Sequence, residues 1–294
     1  MSISSVIGYI TNHPLNRDKK LSSIIRFAKW QIRSRINAAP FVHQFTNKAK
    51  IYVVKGMTGA TGNVYCGLHE YTDMAFLLHL LRPNDLFTDI GANVGSYTVL
   101  AAAHAGANTI TFEPLPKTFD WLKKNIEVNN IGNITQAHNI ALGAQKDVLR
   151  FTQTLDTVNH IATVNDTNTI EVPVDTLDNI LNGKVPLLMK IDVEGFETEV
   201  LKGASKTLND NRLKGIIIEL NGSGGRYGYD EHKIHELLLS LGFAPYMYEP
   251  AKRSLIKVEE FGSHNTLYLR DINMIQERLN TAAKINIPGY GDVA

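Results

Sequence analysis

The sequence predicts a doubly wound α/β fold, a mostly parallel sheet covered by helices on both faces. Three observations predict it. Apolar runs of strand character alternate with amphipathic helical patterns from about Asp85 to Leu241. At Leu86 to His104 a short apolar strand, a turn containing Gly91 and Gly95, and a helix follow one another directly. Four of the predicted strands place an acid at the same end, Asp89, Glu113, Asp192 and Glu219, and ligands of open α/β sheets bind beyond the carboxyl ends of the strands.

The 294 residues suffice for one large domain or two small ones, with 44% hydrophobic and 20% charged residues as in ordinary globular proteins. No apolar run approaches the roughly 18 residues of a membrane span. Met1 to Ser5 contains no basic residue and His13-Pro14 interrupts the apolar stretch behind it, so no secretory signal is expected. Cys66 is the single cysteine and has no partner for an internal disulfide, which fits a reducing cytoplasm. Charge is unevenly spread. Residues 1 to 50 hold nine Lys and Arg against one acid, Asp18, for a net +8, while the remainder holds 21 basic and 28 acidic residues, for −7. A basic segment on an acidic body suggests peripheral contact with a membrane, an anionic substrate or another subunit. Basic and aromatic residues do not interleave, so no nucleic-acid partner is expected. Oligomeric state is not encoded in any motif.

Leu21 to Ile36 is patterned as an amphipathic cationic helix, expected first to pack on the chain's own acidic catalytic domain and alternatively to meet a membrane surface or a partner. Ile51 to Val54 and Asn63 to Tyr65, around the glycine-rich Gly56 to Gly62, predict a hairpin, and Tyr71 to Leu81 a helix stopped by Arg82-Pro83. After the glycine turn come a strand ending at Glu113, a helix over Lys117 to Asn129 and a third strand near Ile134 to Leu142. Val148 to Gln153 and Thr169 to Val174 alternate like an antiparallel insertion, and the polar loop Thr157 to Asn168 between them is placed to gate a site. A strand within Val185 to Val193, a helix over Phe196 to Leu208 and a strand over Gly215 to Asn221 follow. Gly222 to Tyr229 reads either as a glycine-rich lid presenting Tyr227 and Tyr229 to a ligand or as a disordered connection. Asp230 to Leu241 is helical, Pro245 to Tyr248 and His264 to Arg270 are strands, and Ile272 to Lys284 is a terminal helix. Three regions result: a basic helical and hairpin extension (1–68), a catalytic domain (69–271) and a C-terminal helix and tail (272–294).

The glycine turn favours a small polar ligand, since glycines admit close backbone approach and free amides at a helix start attract anionic groups. Neither phosphate signature is present: Asn93 stands at the second glycine of a dinucleotide turn, and no Lys follows Gly95. The form D-x-G-x-N-x-G instead resembles motif I of class I S-adenosyl-L-methionine-dependent methyltransferases. Taken with Phe112-Glu113-Pro114, Ala141-Leu142-Gly143, Val174 to Asp178 and Lys190-Ile191-Asp192-Val193-Glu194-Gly195-Phe196-Glu197, in this order, the chain resembles the FkbM family from about Glu70 to Leu241. The resemblance implies a Rossmann-like sheet of about seven strands with the last antiparallel, and O-methylation of a hydroxyl on a sugar, glycan, glycolipid or natural product. It implies that Asp89, Gly91, Asn93 and Gly95 line the methionine end of the cofactor, Glu113 the ribose, and Ile140 and Ala141 the adenine.

Methyl transfer to oxygen needs alignment of acceptor and donor and removal of the hydroxyl proton. Asp192 is the favoured base, with Glu194 and Glu219 as alternates; a structural alternative has Glu194 capping the helix behind it. His160 and His264 are weaker candidates. No metal is required by the resemblance, although Asp192, Glu219 and Asn221 offer oxygen ligands for a Mg²⁺-assisted variant. The rival functions are an NAD-dependent oxidoreductase, which would use Glu113 in the same way but should carry the missing glycine, and a noncatalytic cofactor-binding protein.

Overall fold

The computed structural model describes residues 3–153, 158–163 and 165–294. The chain opens with helices α1 (Ile3–Asn12) and α2 (Lys20–Ile36), then strands β1 (Phe41–Gln44) and β2 (Lys50–Val53), then helices α3 (Thr58–Cys66) and α4 (Tyr71–Leu80). The expected hairpin is therefore displaced. β2 pairs antiparallel with β1, and Asn63 to Tyr65 lie in α3. Glycine normally weakens a helix by about 1 kcal/mol, but α3 buries Ala60, Val64 and Cys66, and the bare Cα of Gly62 admits the ring of His69, which a Cβ would meet at 2.6 Å. Tertiary packing overrides the local turn signal.

The doubly wound body follows: β3 (Leu86–Ile90), α5 (Ser96–Val99) continued by a wider turn over Leu100–His104, β4 (Asn108–Phe112), α6 (Pro116–Val128) and β5 (Thr135–His138). The third strand was expected to run on to Leu142. Instead the chain leaves the sheet at Asn139, whose amide donates to the carbonyls of Glu113 and Pro114, and Ala141–Leu142 forms β6 of a separate sheet with β7 (Asp147–Thr152) and β8 (Thr169–Asp175). β7 and β8 pair antiparallel, as their alternation predicts. Of the loop expected to gate the site, positions 157 and 164 lie outside the described residues.

Then come α7 (Leu177–Leu181), β9 (Leu188–Ile191), α8 (Glu197–Lys202), α9 (Ser205–Asn209), β10 (Gly215–Glu219) and α10 (Glu231–Ser240). The helix expected over Phe196 to Leu208 is broken into α8 and α9 at Gly203, where a Cβ would fall 2.0 Å from the carbonyl of Gly143. β11 (Ala244–Glu249), β12 (Ser254–Lys257), β13 (Asn265–Leu269), α11 (Ile272–Thr281) and a closing hairpin of β14 (Ile285–Ile287) and β15 (Gly291–Val293) complete the chain.

The main sheet has eight strands in the order β12-β11-β13-β10-β9-β3-β4-β5. β10, β9, β3, β4 and β5 are parallel, and β13 runs antiparallel to both β10 and β11. This is the Rossmann-like order expected of a class I methyltransferase, with β12 added at one edge as the antiparallel partner of β11. One core lies on each face. The first gathers Trp30, Phe45 and Ile51 with Phe76, Leu100, Ile287 and Val293, so the N-terminal segment and the closing hairpin share a core with the sheet. The second packs α7 to α10 through Leu181, Val200, Leu208 and Leu238 against Ile191 and Ile218. Among the described residues no helix is long and apolar enough to cross a membrane.

Candidate active site

Chain order reverses between β3 and β9, and the loops beyond these two strands meet there. Gly91 (φ +79°) passes so close to the next loop that a Cβ would stand 1.8 Å from the Asp192 carbonyl oxygen, a position only glycine fills. Gly95 (φ +90°) caps α5 and lies against α6, where a Cβ would meet Leu122 at 2.5 Å. Asn93, between them, is left-handed at φ +53°, a conformation asparagine tolerates. It holds that turn with its own side chain, whose oxygen accepts from the amide of Val94 at 2.7 Å.

Asp89 is 1% exposed and accepts from the amide and hydroxyl of Thr98 at 2.9 and 2.6 Å through one oxygen. Burial pushes its carboxyl up to about 6 against the pull of Lys190 and Thr98. Glu113 sits just beyond β4 and joins two loops, accepting from the amide of Asn93 at 3.0 Å on one oxygen and of Leu115 at 2.9 Å on the other. Burial pushes it up to about 7, against those two amides. Each of its oxygens keeps a second lone pair. Both acids line a cleft of about 1710 Å³, together with Gly91, Asn93, Ile140 and Ala141. Gly95 stands just behind that lining.

Across the cleft the chemistry changes. Lys190, 3% exposed on β9, reaches Asp192 at 2.6 Å and lies 4.8 Å from the ring centre of Tyr97. Burial alone would lower its pKa, but Asp192, Glu70 and Asp89 together raise it and keep the ammonium charged. Asp192, Glu194 and Glu219 each bring a carboxylate oxygen within 4.8 Å of the others. Burial and then Asp192 push Glu194 up to about 7; burial, then Asp192 and Glu194, push Glu219 up to about 8. Glu194 is not the cap of the following helix. The N-cap is Phe196, which makes no side-chain cap, and Glu197 at the first helical position braces the preceding loop, accepting from the amides of Val193 and Gly195 at 3.1 and 3.2 Å. The turn leaves Glu194 at φ +54° on the cleft wall.

Other expected residues fall differently. His264 lines the cleft, whereas His160 is bound within its own loop, its Nδ1 2.9 Å from the Val158 carbonyl and its Nε2 3.8 Å from Asp166. Asn221 lines the cleft, but its side-chain oxygen accepts from the Ser223 amide, so the third oxygen beside Asp192 and Glu219 comes from Glu194. The lid reading of Gly222 to Tyr229 fails in one respect. Tyr227 donates to the Ile161 carbonyl and Tyr229 to Glu199, both pack against Phe196, and Arg226 faces the cleft instead. Phe196 offers apolar surface for which the rings leave solvent.

Two groups were missed by sequence reading. Asn265 donates to Glu70 at 2.8 Å and to Asp73 at 3.1 Å, a polar cluster behind Lys190 in which burial and then Glu70 push Asp73 up to about 7. Glu70 and Asp73 at a helix start resemble ordinary helix-dipole partners, which hides them. The N-terminal segment also builds one wall of the cleft, through Tyr9, Phe27, Trp30, Gln31 and Arg35. Tyr9 belongs to α1 and the other four to α2, whose only sequence signal is that it also carries apolar residues on its inner side.

Residues 89–245 match the model of the methyltransferase FkbM domain, a span of more than half the chain. A protein of Beauveria bassiana named Methyltransferase 1 is 31% identical over 199 residues, covering 57% of this chain and 76% of that protein. The hexuronic acid methyltransferase AglP of Haloferax volcanii is 27% identical over 172 residues, covering 58% and 67%. Among solved structures, P. horikoshii TYW2 in complex with MeSAdo aligns over 79% of this chain and 70% of that one at 16% identity, a loose superposition with a TM-score of 0.43. The glycine turn and the strand-end acids stand within the matched region, and the chain belongs to the FkbM family of methyltransferases.

Proposed function

We propose that the protein is an S-adenosyl-L-methionine-dependent O-methyltransferase in which Glu219 is the general base. The observation that carries this reading is the half-buried Glu219 carboxylate within 4.8 Å of those of Asp192 and Glu194; burial, then these two acids, raise it to about 8, near the pH at which a base must both ionise and accept a proton. The other half of the cleft fits the cofactor by its donor set. Asp89 and Glu113 are buried acids with acceptor capacity left, beside a glycine turn and the apolar Ile140 and Ala141. Such a set suits a cationic ligand bearing a ribose diol.

S-adenosyl-L-methionine, when bound, supplies a methyl group already activated on a cationic sulfur. The protein's part is to align and to deprotonate. Glu113 takes the ribose hydroxyls, and Asp89 and the turn from Gly91 to Gly95 hold the methionine end. Glu219 would accept the proton of the acceptor hydroxyl, and the bound cofactor would supply the methyl group to that oxygen. Asp192, the base favoured by its strand-end position, is ion-paired with Lys190 at 2.6 Å, and its negative charge acts here by keeping Glu219 basic. In this reading residues 69–271 are the catalytic unit and residues 1–68 supply a wall.

The cleft exceeds the roughly 300–1,000 Å³ of a site for one small ligand, so acceptor and cofactor fit together. Arg35, Lys55 and Arg226 on its walls favour an anionic acceptor, and the Haloferax relative is named for a hexuronic acid. We therefore place the acceptor among acidic sugars and glycans. Calorimetry with S-adenosylhomocysteine and with NAD(H), followed by a screen of uronic acid-bearing sugars for methyl acceptance, tests the reading. Binding of NAD(H) alone would sink it.

The three clustered carboxylates also define a possible oxygen site for a divalent cation. The lysine already at Asp192 supplies positive charge there, so turnover is expected to be unchanged in excess EDTA. Loss of activity restored by Mg²⁺ would replace the free-base mechanism with a metal-assisted one.

A further inference from the structure

Helix α2 has two apolar faces, and only one of them is used. At 3.6 residues per turn, Ser23, Phe27, Trp30 and Ser34 share the inner face, where Trp30 joins the core and Phe27 lines the cleft. Leu21, Ile25, Ala28, Ile32 and Ile36 fall within an arc of about 80° on the opposite face. All five are exposed, Leu21 by 73%, Ile32 by 59% and Ile36 by 81%. Single exposed apolar residues are commonplace; a stripe of five along four turns of one helix is not.

Cations flank the stripe. Exposed Lys20 lies on one side and exposed Lys29 and Arg33 on the other. The helix contains no acid, and Asp18 is the single one in residues 1 to 50. We propose that α2 docks this face on an anionic lipid surface, with the isoleucines and Leu21 in the acyl boundary and Lys20, Lys29 and Arg33 among the headgroups. Charge decides the occupant. A second copy laid face to face on the stripe would bring two segments of net +8 together, whereas an anionic bilayer neutralises them. The docking does not depend on how the cleft is read. It has a consequence for it: the inner face of α2 lines the cleft, and a helix with its side chains is about 10–12 Å across, so a docked protein works on acceptors held close to the membrane.

Flotation of the full chain with large unilamellar vesicles tests this. Binding is expected to phosphatidylglycerol-containing vesicles, to weaken as salt is raised, and to be at least tenfold weaker to pure phosphatidylcholine. Ile25→Ser, Ile32→Ser and Ile36→Ser combined should lower partitioning by more than about tenfold while leaving thermal unfolding and S-adenosylhomocysteine affinity unchanged, since none of the three lines the cleft. Lys20→Gln with Lys29→Gln should remove most of the preference for anionic lipid with the apolar stripe intact. No binding to anionic vesicles, or equal binding by the triple variant, overturns the proposal. So does a dimer in sedimentation equilibrium that the triple variant dissolves, which would assign the stripe to a second copy.

Discussion

The two acid sets on either side of the β3–β9 junction are built from the same residue types and differ in what neutralises them. Asp89 and Glu113 are almost fully buried, and each is held by two hydrogen bonds from Thr98 or from the amides of Asn93 and Leu115. Asp192, Glu194 and Glu219 are half-buried and face one another, with one lysine among three carboxylates. Hydrogen bonds fix a carboxylate in place; like charges make it exchange protons. In the mechanism proposed above, the first set holds the cofactor and the second takes part in the chemistry.

The largest effect expected from that difference is on turnover. Glu219→Gln should lower kcat by about 10² to 10⁴, the range of a lost general base, with the Kd for S-adenosylhomocysteine changed less than about twofold. In the unaltered protein kcat/KM should climb as pH rises through about 8, because the base works only when deprotonated. The variant should lose that limb. A variant with full activity, or with the limb intact, would move the base away from Glu219.

Glu113→Gln should reverse the pattern. Its cofactor Kd should rise by about 10- to 100-fold, since hydrogen bonds to a charged group are worth roughly 1.5 to 3 kcal/mol, while kcat at saturating cofactor changes little. In the unaltered protein affinity should improve as pH rises through about 7, where Glu113 ionises. An unchanged Kd across the substitution would remove Glu113 from the ribose site and leave it as a brace between the loops of Asn93 and Leu115.

The same contrast explains what the sequence made legible. The cofactor side is local: a strand end, a glycine turn and an acid on the next strand lie within 25 residues, and the backbone demands at Gly91 and Gly95 leave a readable pattern. The acceptor side is assembled from far apart. Glu219 stands out only because β10 brings it beside Asp192, and the pairing of Asn265 with Glu70 and Asp73 spans nearly 200 residues. Strand and helix alternation disclosed the doubly wound body, but α3 was hidden by its glycines, and the closing hairpin by its three-residue strands. Tyr227 and Tyr229 were read as ligand-facing because sequence alone does not reveal that Phe196 lies beside them.

The smallest expected effect is on stability, and it distinguishes the two sets by pH. Every shifted acid of the junction, Asp89, Glu113, Glu194 and Glu219, has its folded pKa raised above the ordinary carboxylate value. The folded state thus holds these protons more tightly than the unfolded chain. The stability this confers is complete below about pH 4 and is lost as pH rises through the folded values, between about 6 and 8. The melting temperature of the ligand-free protein should therefore fall between pH 5 and pH 8. Glu113→Gln should flatten the part of the fall that ends near 7, and Glu219→Gln the part that extends to about 8. Because Glu219 is only half-buried, solvent screens its share, and its substitution should flatten the curve less than that of Glu113. A melting temperature that is flat or rising over this range would mean that the acids ionise at ordinary values and that crowding does not set the chemistry of the cluster.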